Sequence, residues 1–176
     1  KTISITRVHQ EEDTGKSVHE GDLTLLDYNK SGVPLVEVVT EPDFRTVEEV
    51  VAFGRTLRRL LRLLKVSDAD LEKGQMRFEP NISVRKKGGR KLPPYKVEVK
   101  NIGSISVLAN VIEKEAQRQI ALLKKGETPV QETRGLVDMT GETVSQRTKE
   151  TEQDYRYFPE PDIPPMHFDK AYIESI

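Results

Sequence analysis

A polar turn between two strand-forming runs, followed at once by a helix start, constrains the fold more than any other feature. In the stretch 25–43, the residues Asn-Lys-Ser-Gly at 29–32 separate two runs rich in β-prone residues, and the stretch closes on Glu-Pro-Asp. Gly, Asn and Ser favour turns, whereas β-branched and aromatic residues favour strands. The order predicts strand, turn, strand and helix, with the strands at 23–28 and 34–40 forming a pair.

The residues after this stretch predict an amphipathic helix over 47–65. Thr46 and Glu49 have the spacing of a capping box, in which a hydroxyl and a carboxylate satisfy free N–H groups at a helix start. Apolar residues recur on one face at helical spacing, and basic residues occupy the opposite face. The apolar set is Val50, Phe53, Leu57, Leu60, Leu61 and Leu64, and the basic set is Arg55, Arg58, Arg59, Arg62 and Lys65.

A second helix is predicted over 105–125, with one face expected to be buried: Ile105, Leu108, Ile112, Ala116, Ile120 and Leu123. Strands are expected at 2–9, 76–84 and 95–100, and in short pieces across 128–147 around a Thr140-Gly141 turn. Polar or basic loops are expected at 11–17 and 86–94. The sum predicts an α+β fold, a mostly antiparallel sheet with two long amphipathic helices packed on it.

Composition narrows the class of protein. The 176 residues suit one domain, or one domain and a small second piece, and their 32% charged content suits a well-solvated chain. The absence of Cys excludes disulfides, thiolate catalysis and Cys-based zinc sites. No apolar run is long enough to span a membrane, and no signal peptide is visible. Both ends interrupt predicted elements, so we expect a longer parent protein.

Carboxylates on separate predicted elements suggest a metal site. The run Glu11-Glu12-Asp13 is a dense carboxylate cluster, while Glu79 and Glu98 each lie in a predicted strand. If those strands are neighbours, both carboxylates can share one sheet face and meet the loop acid, offering the oxygen ligands that Mg²⁺ prefers. The alternatives are a solvated acidic loop and neutralisation of the acids by Lys96 and Lys100.

The basic residues have two interpretations. Arg58, Arg59 and Arg62 on the first helix, with Lys86 and Lys87 in the basic loop, form either a solvated surface or a surface that contacts an RNA backbone. The net charge of −1 means that nucleic-acid binding would depend on such a local patch. The Gly-Lys-Ser at 15–17 is not a P-loop, because position 10 is Gln. No nucleophile–base spacing is present.

An ordered series of motifs resembles GatB, the B component of the Glu-tRNA amidotransferase. The most specific motif is L-x-D-x-N-K-x-G-x-P-L-x-E, which begins at Leu25 and is followed by E-P-D. The other motifs, in the order in which the family has them, lie at residues 5–7, 11–17, 66–68, 72–77, 81–83, 98–102, 131–134 and 154–162. The chain departs from the family in having Lys30 where Arg is usual. The positive charge is kept, but the planar guanidinium group with its paired hydrogen-bond donors is lost. The archaeal GatE subunit shares much of this pattern.

The resemblance implies a carbon–nitrogen ligase that acts in a complex with GatA and GatC. In that family ATP phosphorylates the side-chain carboxylate of Glu-tRNA(Gln), and often of Asp-tRNA(Asn). Ammonia released by GatA then displaces the phosphate. The chain corresponds to the central and C-terminal part of the catalytic cradle domain, without the family's N-terminal segment or its C-terminal helical and tail domains. We expect the 176 residues alone to be inactive, and the parent to be cytoplasmic, or mitochondrial in a eukaryote.

The same resemblance implies the site. The family's Mg²⁺ ligands match Glu12, Glu79 and Glu98, and Glu79 stands where many members have Asp. Lys16 is a further prediction for a phosphate contact, with pairing to Asp13 as the alternative. Two other functions stay open: a GatE-type subunit specific for Glu-tRNA(Gln), and a non-catalytic module that docks tRNA or a partner subunit.

Overall fold

The computed structural model describes residues 1–89, 91–100, 102–137, 142–148 and 164–176. These residues form an α+β fold, as predicted. The strands are β1 Ile5–Glu12, β2 Lys16–Glu20, β3 Leu23–Asp27, β4 Pro34–Thr40, β5 Asn81–Ile82, β6 Val97–Lys100, β7 Glu132–Leu136 and β8 Thr143–Thr148. The helices are α1 Val47–Leu63, α2 Ile105–Lys124 and the short α3 Lys170–Glu174. The predicted turn at 140–141 and the motif at 154–162 lie outside the described residues.

Two antiparallel ribbons make up the first 40 residues. β1 pairs with β4, and β2 pairs with β3 through a tight turn in which Gly21 adopts a φ of +59°. The expected pairing of the strands at 23–28 and 34–40 is therefore wrong. The turn chemistry of 29–32 is local, whereas β4 takes its partner from the distant β1, which no local pattern reveals.

The polar loop expected at 11–17 is also shorter than predicted. β1 runs through Glu11 and Glu12, and β2 begins at Lys16. Beyond the last β1 residue the ladder continues, since Asp13 donates its N–H to Val33 O at 2.8 Å and Gly32 donates to Asp13 O at 2.8 Å. A charged run stays extended here because its backbone groups find partners across the ribbon.

α1 begins where the capping box predicts. Thr46 accepts a hydrogen bond from the backbone N–H of Glu49, and the Glu49 carboxylate accepts from the N–H of Arg45 at 2.7 Å. The hydrogen bond from Lys1, and then that from Arg45, lower the pKa of Glu49. The helix ends two residues earlier than predicted, because Lys65 adopts a left-handed backbone with a φ of 56°.

A four-stranded sheet in the order β5-β6-β7-β8 carries the core. The pairs β5–β6 and β7–β8 are antiparallel, but β6 and β7 are parallel because α2 returns the chain to the same end of the sheet. The strand expected at 76–84 is reduced to β5 and a bridge between Phe78 and Ile102. The ring of Phe78 lies so close to Gly54 that a Cβ there would meet it at 3.1 Å.

α2 covers one face of this sheet with only part of the stripe that periodicity predicts, since Leu108 is buried and Ile112 packs against the core. The core joins Val107, Leu108 and Val111 of α2 to Val99 and Ile102, yet Ile120 and Leu123 remain exposed. The buried face continues instead through Glu115 and Gln119. Hydrophobic periodicity misses these positions because the burial of polar groups depends on partners elsewhere in the chain.

Those partners form a connected polar network between α2 and the sheet. Arg118 contacts Glu115 at 2.8 Å and Glu132 at 3.3 Å, and Arg134 contacts Glu132 at 2.8 Å. Gln119 donates to Ile82 O at 3.1 Å and accepts from Val84 N at 3.0 Å. The hydrogen bond from Arg118 to Glu115 raises the pKa of Arg118. The network fixes β5 and β7 on either side of β6.

Among the described residues, no helix combines the length and the apolar character needed to cross a bilayer.

Candidate functional site

The open face of the four-stranded sheet carries the predicted acid of β6. Val97 and Val99 point toward α2 and are fully buried, so Glu98 and Lys100 point to the opposite face. Glu98 lies directly between Asn81 on β5 and Thr133 on β7. The buried hydroxyl of Thr133 donates to Glu98 Oε2 at 3.0 Å, which holds this half-buried carboxylate in place.

Glu79 reaches the same open face. Its neighbour Phe78 packs against the core, and the Glu79 carboxylate lies 3.7 Å from the ammonium of Lys100. The sheet thus brings Glu79, Glu98 and Lys100 to one side, as strand alternation predicts. The contact with Lys100 is also the neutralisation that the sequence left open as an alternative.

Glu12 belongs to a different sheet. It ends β1 opposite Pro34 and lies on the ribbon face that also carries Val8 and Val36. In the described part of the chain, Glu12, Glu79 and Glu98 do not form a group whose ligand atoms lie within 4.8 Å of one another. Their joint role as metal ligands therefore stays a prediction.

A different group meets that distance, and sequence reasoning missed it. His9, Glu11 and Glu37 each offer a ligand atom within 4.8 Å of the others, the one such trio among the described residues. His9 and Glu37 are direct cross-strand partners, while Glu11 follows His9 on the same face. The signal in the sequence was the His-x-Glu alternation of β1. The third residue of the trio, Glu37, could be found only from the register in which β4 pairs with β1.

Lys16 lies in a strand rather than in a phosphate-binding loop. It opens β2 directly across from Asp27 and is exposed. The preceding Gly15 is close to the ring of Tyr28, so that a Cβ would meet it at 3.0 Å. The predicted contact between Lys16 and a phosphate stays a prediction.

The basic residues fall into two surfaces. Arg58 uses its Nε to bind Ala69 O at 2.9 Å and so ties α1 to the following loop, whereas Arg59 and Arg62 are exposed. Lys86 and Lys87 are exposed in the irregular segment between β5 and β6. Both surfaces are available to a polyanion, with Arg58 contributing from a partly buried position.

Comparison with known proteins decides the family. The family model described as the GatB/GatE catalytic domain matches residues 1–174. The chain belongs to the GatB/GatE catalytic-domain family. The match spans both ribbons, both long helices and the four-stranded sheet, so Glu12, Glu79 and Glu98 all lie within it.

Curated relatives agree with this family. The B subunit of the aspartyl/glutamyl-tRNA(Asn/Gln) amidotransferase of Bdellovibrio bacteriovorus is 48% identical over 175 residues, 99% of this chain and 36% of the relative. The protein of the same name from Persephonella marina is 48% identical over 174 residues, 99% of this chain and 36% of the relative. The chloroplastic/mitochondrial B-1 subunit of the glutamyl-tRNA(Gln) amidotransferase of Micromonas pusilla is 48% identical over 184 residues, 100% of this chain and 34% of the relative. The chain thus spans about a third of the length of each of these relatives.

Proposed function

We propose that this chain is part of the subunit of an ATP-dependent amidotransferase that converts Glu-tRNA(Gln), and Asp-tRNA(Asn), to the amidated forms. The observation that carries the proposal is 48% identity to amidotransferase B subunits across 99% of the chain. ATP phosphorylates the side-chain carboxylate of the tRNA-bound residue, and ammonia displaces the phosphate. A phosphoryl transfer of this kind depends on positioning and charge stabilisation rather than on a protein nucleophile.

The donor chemistry of the open sheet face fits Mg²⁺. Glu98, Glu79 and the side-chain amide of Asn81 offer oxygen atoms, which Mg²⁺ prefers, and Glu98 is half-buried and held by Thr133. Glu12, Glu79 and Glu98 would hold the ion, which when bound offsets negative charge on the ATP phosphates. Lys100 keeps Glu79 paired until the ion competes for its carboxylate, since the two lie 3.7 Å apart.

The exposed basic residues supply the contacts to tRNA. Arg59 and Arg62 on α1, with Lys86 and Lys87 before β6, contact phosphates and give affinity without reading sequence. Arg58 also contacts a phosphate through its two terminal guanidinium nitrogens, since only its Nε bonds to Ala69 O. Lys16 contacts a phosphate of ATP from the edge of β2.

The partners and compartment follow from the same family. A GatA-type glutaminase delivers the ammonia, and a GatC-type subunit completes the heterotrimer. The parent protein works in the cytoplasm, or in the mitochondrion of a eukaryote. One relative is named chloroplastic/mitochondrial, which supports the organellar alternative.

The test of this function uses the complete subunit in its complex. Glu98→Gln should abolish ATP-dependent phosphorylation of Glu-tRNA(Gln), since the amide keeps the shape of the side chain but not its charge. Glu127→Gln, in the exposed segment after α2, should keep full activity. Activity of the Glu98→Gln complex equal to that of the control would refute the proposed role of the sheet face.

A second function is favoured by the arrangement of the acids. The acids are not gathered in one group within the described residues, and Lys100 already pairs with Glu79, which suits a module that docks tRNA without chemistry. The Glu98→Gln variant and an Arg59→Glu variant separate the two functions. Loss of tRNA binding in Arg59→Glu, together with unchanged phosphorylation in Glu98→Gln, would select the docking module.

A GatE-type subunit would act on Glu-tRNA(Gln) and leave Asp-tRNA(Asn) unchanged.

A further inference from the structure

We propose that His9, Glu11 and Glu37 form a binding site for a divalent transition-metal ion on the β1–β4 ribbon. This site is separate from the acids of the sheet face and does not depend on the proposed function. Ligand atoms of the three side chains lie within 4.8 Å of one another. The imidazole of His9 lies 3.0 Å from Glu11 Oε1 through its Nδ1.

These distances suit coordination to one ion. Ligands that bind a metal at about 2.1 Å are about 3.0 Å apart at a right angle and about 3.4 Å apart at the tetrahedral angle usual for Zn²⁺. The His9–Glu11 separation of 3.0 Å therefore already matches two adjacent ligands. The Glu37 carboxylate lies within 4.8 Å of both, and it must approach further to reach the same ion.

The backbone fixes the three side chains on one face. His9 and Glu37 are opposite each other in the antiparallel register, and Glu11 is two residues after His9 on β1. A two-residue step along a strand returns to the same face, so a slip of register would be needed to separate them. Glu12, one residue further on, faces the other side of the ribbon. Adjacent acids thus have different environments.

Burial and charge favour an ion with open coordination positions. The side chains of His9, Glu11 and Glu37 are 34%, 32% and 45% exposed, which leaves a path for the ion and room for water. Arg7, on the same face, contacts Glu37 at 3.1 Å and balances one of the two carboxylates. A divalent ion must displace this exposed contact, which is worth little in solvent.

The ligand set selects the metal class. Imidazole with carboxylates suits Zn²⁺, Mn²⁺ and related ions, whereas Mg²⁺ prefers oxygen ligands alone. We expect the site to bind Zn²⁺ in the presence of excess Mg²⁺. This preference separates it from an all-oxygen site formed by Glu12, Glu79 and Glu98.

The experiment is a calorimetric titration of Zn²⁺ into the 176-residue chain and four variants. Glu11→Gln and His9→Gln should each weaken Zn²⁺ binding at least about tenfold. Mutation of a residue that only hydrogen-bonds to a metal ligand already lowers metal affinity by about that much, and loss of the ligand itself should lower it no less. Glu20→Gln and His19→Gln are matched controls, an exposed acid and a histidine of the other ribbon, and should bind as the wild type does. Far-UV circular dichroism checks that each variant folds, and Glu37→Gln replaces any that does not.

Two results would overturn the proposal. One is the absence of saturable Zn²⁺ binding by the wild type. The other is equal weakening by Glu20→Gln and Glu11→Gln, which would mean that Zn²⁺ binds exposed acids of the ribbons without selecting this cluster. A nitrogen-detected NMR spectrum gives an independent readout, because Zn²⁺ should shift the ring resonances of His9 and leave those of His19 in place.

Discussion

The contact between Thr133 and Glu98 shows how one side chain prepares another. Thr133 is buried on β7, and its hydroxyl donates to a half-buried carboxylate at 3.0 Å. Without that donor the Glu98 carboxylate would lose a hydrogen bond, and its side chain would rotate more freely. The hydroxyl thereby holds one oxygen of Glu98 and limits the rotation of the carboxylate.

A double-mutant cycle measures this contact. Thr133→Val and Glu98→Ala, alone and together, should show a coupling free energy of about 1–2 kcal/mol, as expected for a hydrogen bond to a charged group. Urea unfolding gives the four free energies of unfolding. Effects that add within about 0.5 kcal/mol would mean that the two groups are independent.

Glu132 makes stability depend on pH. Burial alone would raise the pKa of Glu132, but hydrogen bonds from Ser145 and Arg134 and the charges of Arg134 and Arg118 lower it below its ordinary value of 4.5. A depressed pKa contributes stability that is present above that ordinary value and is lost as the pH falls through the folded value. We expect the free energy of unfolding to fall below about pH 4.5. Glu132→Gln should flatten that fall, and a slope equal to that of the wild type would contradict the assignment.

At the scale of elements, local signals were sufficient for where the long helices begin and insufficient for how the strands pair. Thr46, Glu49 and Gly126 mark helix ends through groups within a few residues, and both long helices begin where predicted. The pairing of β4 with β1, and the burial of Glu115 and Gln119, depend on partners far along the chain. Strand alternation did place Glu98 and Lys100 on one face, but not their neighbour Thr133.

The cap of α1 is testable in isolation. Thr46→Ala removes the acceptor for the Glu49 N–H and should lower the free energy of unfolding by about 1 kcal/mol. Thr56→Ala is the matched control, since the hydroxyl of Thr56 bonds only back to Ala52 O within the helix, at 2.8 Å. Such a bond adds little to helix stability, and Ala has the higher helix propensity. Equal losses in the two variants would contradict the role of the cap.

Across the whole molecule, the core is concentrated where α2 meets the four-stranded sheet. Leu108→Ala, at a side chain only 1% exposed, should cost about 3 kcal/mol through lost burial and the cavity that remains. Leu63→Ala, at a residue 79% exposed, should be close to neutral. Thermal unfolding by circular dichroism compares the two, and similar melting temperatures would mean that the core lies elsewhere.

The proposed magnesium site takes three acids from two sheets. Glu12 lies on the β1–β4 ribbon, whereas Glu79 and Glu98 share the open face of the larger sheet. Strand alternation predicted that the latter two share a face only if their strands are neighbours. It did not predict which lysine would pair with Glu79, because neither the register of β5 nor the reach of Lys100 is visible in the sequence.

The most direct measurement is a calorimetric titration of Mg²⁺ into the complete subunit, with Glu12→Gln, Glu79→Gln and Glu98→Gln as separate variants. The account predicts saturable binding by the wild type and a loss of affinity of at least about tenfold in each variant. Glu11→Gln, on the opposite face of the ribbon from Glu12, should bind Mg²⁺ as the wild type does. Wild-type affinity for Mg²⁺ in all three acid variants would contradict the assignment of Glu12, Glu79 and Glu98 to one magnesium site.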